Sequence, residues 1–137
     1  MALTYLTGNR ILDQQFGAVA PTVPTTYYFA LSTGSPVVSG SGFIEPTSGS
    51  YARVAVANDK ATTWNNASAN SVTNKVAVTF NQSTGSGWGT IAYVGIYDAS
   101  TVGNLLYYSA LSPSRVVAGG TTVYFDIGDI TASIINV

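Results

Sequence analysis

The chain has 137 residues, a length that suits one domain, and only 8% of them are charged against roughly one quarter in soluble domains, so part of the exterior is expected to be hidden against neighbours. The net charge is −1, and Arg10, Arg53, Lys60, Lys75 and Arg115 are scattered singly, which argues against nucleic acid as a partner. Cysteine and histidine are both absent, which excludes disulfides, thiolate and imidazole metal sites, and the Ser-His-Asp and Cys-His catalytic arrangements.

Residues 1–17 read as a helical or capping segment, with Tyr5, Leu12 and Phe16 on one face and Gly17 as its end. The expected role is a lid over one end of the core. Arg10 and Asp13 interrupt this stretch, so it does not read as a secretory signal, and no apolar run reaches the ~20 residues of a membrane helix.

Residues 18–137 read as one β-sandwich domain. Runs rich in Val, Ile, Tyr, Phe and Thr, separated by Gly, Ser, Asn and Pro, predict strands near 25–32, 50–57, 74–81, 90–98, 104–111, 114–118, 121–126 and 129–135. The fold class is therefore all-β, an antiparallel β-sandwich of about eight strands with a short N-terminal helix, a jelly roll being one such arrangement. Alternation places Val54, Val56, Val76, Val78, Phe80, Val94, Ile96, Val123 and Phe125 inward. The runs Ile91 to Tyr97 and Leu105 to Tyr108 are apolar on both faces and need cover on both, from loops or, in better accord with the low charge, from another subunit.

The polar segments 33–49 and 58–73 lack periodicity and read as long surface loops. A Tyr-Tyr-x-Ala-Leu-Ser pattern occurs twice, beginning at Tyr27 and at Tyr107, as two strands facing similar neighbours would show.

Several motifs have a bland reading that outweighs the functional one. The stretch Gly85-Ser86-Gly87-Trp88-Gly89 is followed by strand-forming residues rather than a helix, so it predicts a hairpin connection with Trp88 over the sheet edge, not a phosphate loop. Glu45, Asp59, Asp98, Asp126 and Asp129 are the carboxylates a glycosidase would need, but Asp98, Asp126 and Asp129 sit where Asp bonds turn backbone. No enzyme activity and no cofactor are expected. The nine tyrosines and two tryptophans are the most suggestive constellation, since aromatics stack on sugar faces and anchor protein interfaces. The candidate subunit or partner contacts are Tyr28, Arg53, Trp64, Trp88, Tyr93, Tyr97, Tyr107 and Tyr108. Arg53 is expected to point outward and pair with an acidic or carbonyl group at a loop or subunit boundary.

The chain also resembles a family of small tailed-bacteriophage virion proteins, often labelled tail-fibre or minor structural proteins, over nearly its whole length. The resemblance lies in Ile11-Leu12-Asp13, Phe16-Gly17, Ala30-Leu31-Ser32-Thr33, Glu45-Pro46, Tyr51-Ala52-Arg53-Val54, Trp64-Asn65, Gly87-Trp88-Gly89-Thr90-Ile91, Gly95-Ile96-Tyr97-Asp98-Ala99 and Gly103-Asn104-Leu105-Leu106. Val102 departs from it, standing where a second glycine is expected before Gly103. The resemblance implies a non-catalytic virion protein made in the cytoplasm of the host bacterium. With the low charge, it leads to an expected homo-oligomer, a trimer by preference, bound to the major capsid protein as a decoration or cement protein. The alternative is a tail-fibre or receptor-binding module whose loops 33–49 and 58–73 meet host surface glycan.

Overall fold

The structure is a computed structural model that describes residues 1–17, 20 and 22–134. In chain order its elements are β1 (Ala2–Leu3), α1 (Tyr5–Phe16), β2 (Thr26–Ser32), β3 (Val54–Ala57), β4 (Ser71–Thr73), β5 (Val78–Thr79), β6 (Gly89–Tyr97), β7 (Leu105–Val117), β8 (Tyr124–Phe125) and β9 (Thr131–Ser133). The strand expected at 129–135 survives as β9, and Ile135 lies outside the described residues.

Alternation along the strands builds two faces. In β2, Tyr27, Phe29 and Leu31 point one way and Tyr28, Ala30 and Ser32 the other, as the two-residue period of a strand demands. Phe29 lies opposite Val54 of β3 and Ile96 of β6, and Leu31 opposite Val94, so the first set lines one continuous apolar face. All pairings are antiparallel, and the sheet runs β1-β7-β6-β2-β3.

That face is covered by a second layer of two ribbons, β4 with β9 and β5 with β8. Val72, Val78, Phe80, Val123, Phe125 and Ile130 from this layer join Phe29, Leu31, Val56, Val94 and Ile96 in one core. The result is an antiparallel β-sandwich whose second layer is split. Each fully buried Val, Leu, Ile or Phe contributes roughly 1.5–3 kcal/mol relative to exposure, so this interior is the main source of stability. Buried Asn74 stitches the ribbons together: its Nδ2 donates to Val76 and Asp126 carbonyls at 2.8 and 2.9 Å, and its Oδ1 accepts from Gly128 and Ile130 N–H groups at 3.1 and 2.9 Å.

The opposite face is not left for another subunit throughout. The loop between β2 and β3 returns over it, and Phe43 packs with Ala30, Tyr97, Leu105, Tyr28 and Tyr108. Gly95 makes the approach possible, because a Cβ there would stand 2.6 Å from Phe43 Cε2. Over this part of the sheet the cover expected from a neighbour comes from the chain's own loop.

Four other expectations are corrected. The strands expected at 104–111 and 114–118 are a single strand, β7: Tyr93 pairs with Ala110 and Ile91 with Arg115, so 111–114 bulge out and Pro113 breaks no ladder bond. Val76 is exposed, because bends at 75–76 interrupt the alternation before β5 starts. The loop 58–73 contains β4, whose register is fixed by β9 through Val72 opposite Ala132. The apolar stripe of α1 faces solvent, with Tyr5 66%, Leu12 56% and Phe16 87% exposed. The helix instead sits on the sheet through hydroxyls, Thr4 donating to the Leu105 carbonyl at 2.9 Å and Thr7 to that of Leu106 at 2.8 Å. Among the described residues no helix is long and apolar enough to cross a membrane.

Candidate functional site

Two constellations stand out. The first surrounds Arg53, which precedes β3 and whose side chain is only 7% exposed. Its Nε donates to Glu45 Oε1 at 3.0 Å and its Nη2 to Oε2 at 2.7 Å, the two-pronged geometry that guanidinium makes with carboxylate. Nη1 donates to the carbonyls of Ala99 and Val102 at 2.7 and 2.9 Å. Tyr51 completes the group, its hydroxyl donating to Glu45 Oε1 at 2.8 Å and accepting the Leu31 N–H at 2.8 Å. Burial pushes the Tyr51 hydroxyl far above its ordinary pKa, so it stays a neutral donor. This network ties two loops to the sheet; its groups are fully engaged with one another.

The second constellation is a cleft of about 330 Å³ where the sheet, the 58–73 segment and the β4–β9 ribbon meet. Its walls carry Tyr27, Trp64 and Tyr107, with Asn58, Asp59 and Lys60 among its lining residues and Val72 and Ala132 contributed by the ribbon. Tyr27 stands between the other two rings, edge-on to Trp64 at 6.4 Å and to Tyr107 at 6.5 Å, while Trp64 stacks on Phe29 at 6.3 Å. The Trp64 Nε1–H is the one enclosed side-chain polar group without a hydrogen-bond partner among the described residues. Buried donors are nearly always paired, so an unpaired one beside a cleft is informative.

The polar lining groups are fixed in place. Asn58 donates to the Pro24 carbonyl at 2.8 Å, and Asp59 Oδ1 accepts the Thr62 N–H at 2.6 Å and the Thr62 hydroxyl at 2.9 Å. Those bonds from Thr62 hold the Asp59 carboxyl below its ordinary pKa. Lys75 donates to the Lys60 carbonyl. Burial pushes the Tyr107 hydroxyl up to about 12, and raises Tyr27 despite the opposing effects of Asn58 and Arg10, so both are neutral donors and acceptors at ordinary pH.

The eight candidate contacts do not converge. Trp64 and Tyr107 line the cleft, whereas Tyr28, Arg53, Tyr93, Tyr97 and Tyr108 belong to the other side of the sheet. Tyr97 is buried, and the Tyr93 hydroxyl accepts from Ser35 at 3.0 Å. Trp88 packs inside the core rather than over the sheet edge, its Nε1 donating to the Gly49 carbonyl at 2.9 Å, because Gly87 lets the chain pass tightly against Val117 and turns the indole inward. As core residues, Trp64 and Trp88 offer little surface to a second protein. Tyr27, Asn58 and Lys60 were missed. The signal that could have found Tyr27 is its place in the repeated pattern, where it corresponds to Tyr107, with the same parity as core residues Phe29 and Leu31.

Fold and site together define a small antiparallel β-sandwich that presents an aromatic cleft at the margin of its core. Against protein families, residues 2–133 match the model described as podophage GP4 fiber I protein gp80. The chain belongs to this family and is a structural component of a phage virion. No curated protein matches it.

Proposed function

We propose that the chain is a non-enzymatic, homo-oligomeric module of a tail fibre that meets glycan on the surface of the host bacterium. The observation that carries this reading is the family match, which names a fibre protein and spans nearly all of the chain. It shifts the balance away from the capsid decoration role that the low charge and the resemblance together led to, and toward the tail-fibre alternative.

The carboxylates support the non-catalytic part. Glu45 is engaged by Arg53 and Tyr51, Asp59 by Thr62, Asp98 by Asn104, and Asp126 and Asp129 by the turn between β8 and β9. Carboxylates committed to turn backbone and to neighbouring side chains in this way support a structural rather than an acid–base role. The outward stripe of Tyr5, Leu12 and Phe16 on α1 supports self-association, since exposed apolar residues on one helix face are characteristic of interfaces.

Copy number and position in purified particles test the reading. Quantitative mass spectrometry against the major capsid protein is expected to give a small ratio, and antibody labelling is expected to mark the tail. A ratio near that of a shell protein, with label over the head, would restore the decoration role.

A further inference from the structure

We propose that the cleft formed by Tyr27, Trp64 and Tyr107 binds one neutral pyranose unit of a bacterial surface polysaccharide. The inference rests on the reading of the chain as a host-adsorbing fibre module and deepens it by naming the site and ligand class.

A pyranose has an apolar face of C–H groups and a rim of hydroxyls. The cleft offers the complementary pair: three aromatic rings with Val72 and Ala132, and the polar groups Asn58, Asp59 and Lys60. Its volume of about 330 Å³ lies at the lower end of small-ligand sites, roughly 300–1,000 Å³, which suits one sugar ring. Charge narrows the class. Asp59 and Lys60 are of opposite sign, so the lining has no surplus cation to hold a uronic acid or a phosphorylated sugar.

Trp64 supplies a separate observation. Its indole N–H is enclosed, lacks an acceptor among the described residues and belongs to a ring that lines the cleft. Core packing alone accounts for the edge-on rings, but it does not explain the opening beside them. The enclosed N–H reports on a ligand laid against the indole ring rather than bonding to it.

The test uses the whole chain labelled with nitrogen-15, titrated with free glucose, galactose, mannose, rhamnose and N-acetylglucosamine. The two tryptophans give two indole signals, and Trp88, already bonded to Gly49 at 2.9 Å, is the internal control. At least one sugar is expected to move the Trp64 signal to saturation in the millimolar range while Trp88 stays still. Ala132→Leu, which fills the cleft from β9, is expected to weaken that binding about tenfold or more, and the remote Tyr124→Ala to leave it unchanged. Should Ala132→Leu fail to fold, Tyr107→Phe keeps the ring and is expected to bind about fivefold more weakly.

In a parallel arm, wild-type chain is mixed with cells of the phage's own host. If no sugar moves Trp64 while the chain still coats the cells, the cleft assignment is wrong and the adsorption reading stands. Sugar binding that survives both variants undiminished also overturns the assignment. Sugar binding at Trp64 without cell binding would sink the adsorption reading instead.

Discussion

The guanidinium carbon of Arg53 lies 3.6 Å from the centre of the Tyr97 ring, over its face. A cation in that position is attracted by the ring, and here it is also held by Glu45 and by two loop carbonyls. Because the Arg53 side chain is 7% exposed, removing it strands the Glu45 carboxylate rather than returning a solvated pair to water. Arg53→Ala is expected to lower stability by about 3 kcal/mol, seen as a drop of about 10 °C in the melting temperature. Arg53→Lys should recover little of it, since an ammonium cannot reproduce the fork. A melting temperature unchanged in Arg53→Ala would mean that the network is decorative.

Asn74 is expected to matter as much as a core hydrophobe. It is fully buried, and all four of its side-chain bonds go to backbone groups, one in the turn that follows it and three in the segment between β8 and β9. Asn74→Ala leaves the Val76 carbonyl and the Ile130 N–H without their partner, while the Asp126 carbonyl keeps the Asp129 N–H and the Gly128 N–H keeps the backbone carbonyl of residue 74; at about 1–3 kcal/mol for each group left unpaired, a loss of about 2 kcal/mol or more in urea unfolding is expected. A change within a few tenths would show that water replaces the amide without penalty.

What the sequence disclosed follows from how local each feature is. Strand parity is local, and it placed Val54, Val56, Val78, Phe80, Val94 and Ile96 toward the core. The two copies of the Tyr-Tyr-x-Ala-Leu-Ser pattern lie on β2 and β7, which flank β6, but offset by two residues, since Ile96 faces Phe29 of one and Tyr107 of the other. Arg53 was legible as a residue that pairs at a loop boundary, but not as one enclosed rather than pointing outward, nor was its partner Glu45, because a loop's return path is set by tertiary packing. The helix misled for the same reason. Its apolar period was real, but two threonine hydroxyls meeting the Leu105 and Leu106 carbonyls decided which face docks. The cleft was illegible because it is assembled from β2, β7 and the 58–73 segment, which are far apart in sequence.

Acid should loosen the turn between β6 and β7 through Asp98. Partial burial pushes this carboxyl up, but the Asn104 N–H at 2.7 Å, the Asn104 amide at 2.9 Å and the charge of Arg10 outweigh it, and the group ends below its ordinary range. A carboxyl depressed in the folded state contributes stability that is present above its unfolded pKa of about 4 and is lost as pH falls through the folded value. Melting temperatures of wild type and Asp98→Asn, compared from neutral pH downward, are expected to converge in acid. Curves that stay parallel would mean that another carboxylate governs the acid limb.

Gly95 should resist substitution although it lies mid-strand, where alanine is usually the better residue. A Cβ would stand 2.6 Å from Phe43 Cε2 and 2.7 Å from Leu105 Cδ1, closer than such atoms approach. Gly95→Ala is therefore expected to lift the 33–49 loop from the sheet, destabilising by about 2 kcal/mol and speeding proteolysis within that loop. Equal cleavage rates in the two proteins would show that Phe43 moves aside freely.

Val102 offers the opposite case, a substitution expected to stabilise. Its φ of 54° is in the left-handed region, where a β-branched side chain is strained, and its side chain is 86% exposed, so little packing is lost by removing it. Its carbonyl accepts Arg53 Nη1 at 2.9 Å, which helps to hold the backbone in that conformation, and a glycine would keep that bond. Strain for an L-residue here is about 1–2 kcal/mol, whereas glycine adds unfolded-state freedom worth about 0.4–1 kcal/mol. The difference favours glycine, so Val102→Gly is expected to raise stability by up to about 1 kcal/mol. Val102→Asn separates the causes: asparagine tolerates the left-handed region without the added chain freedom, and it should raise the melting temperature too. If both variants melt at or below the wild-type temperature, the Val102 side chain carries a favourable contact that its exposure conceals.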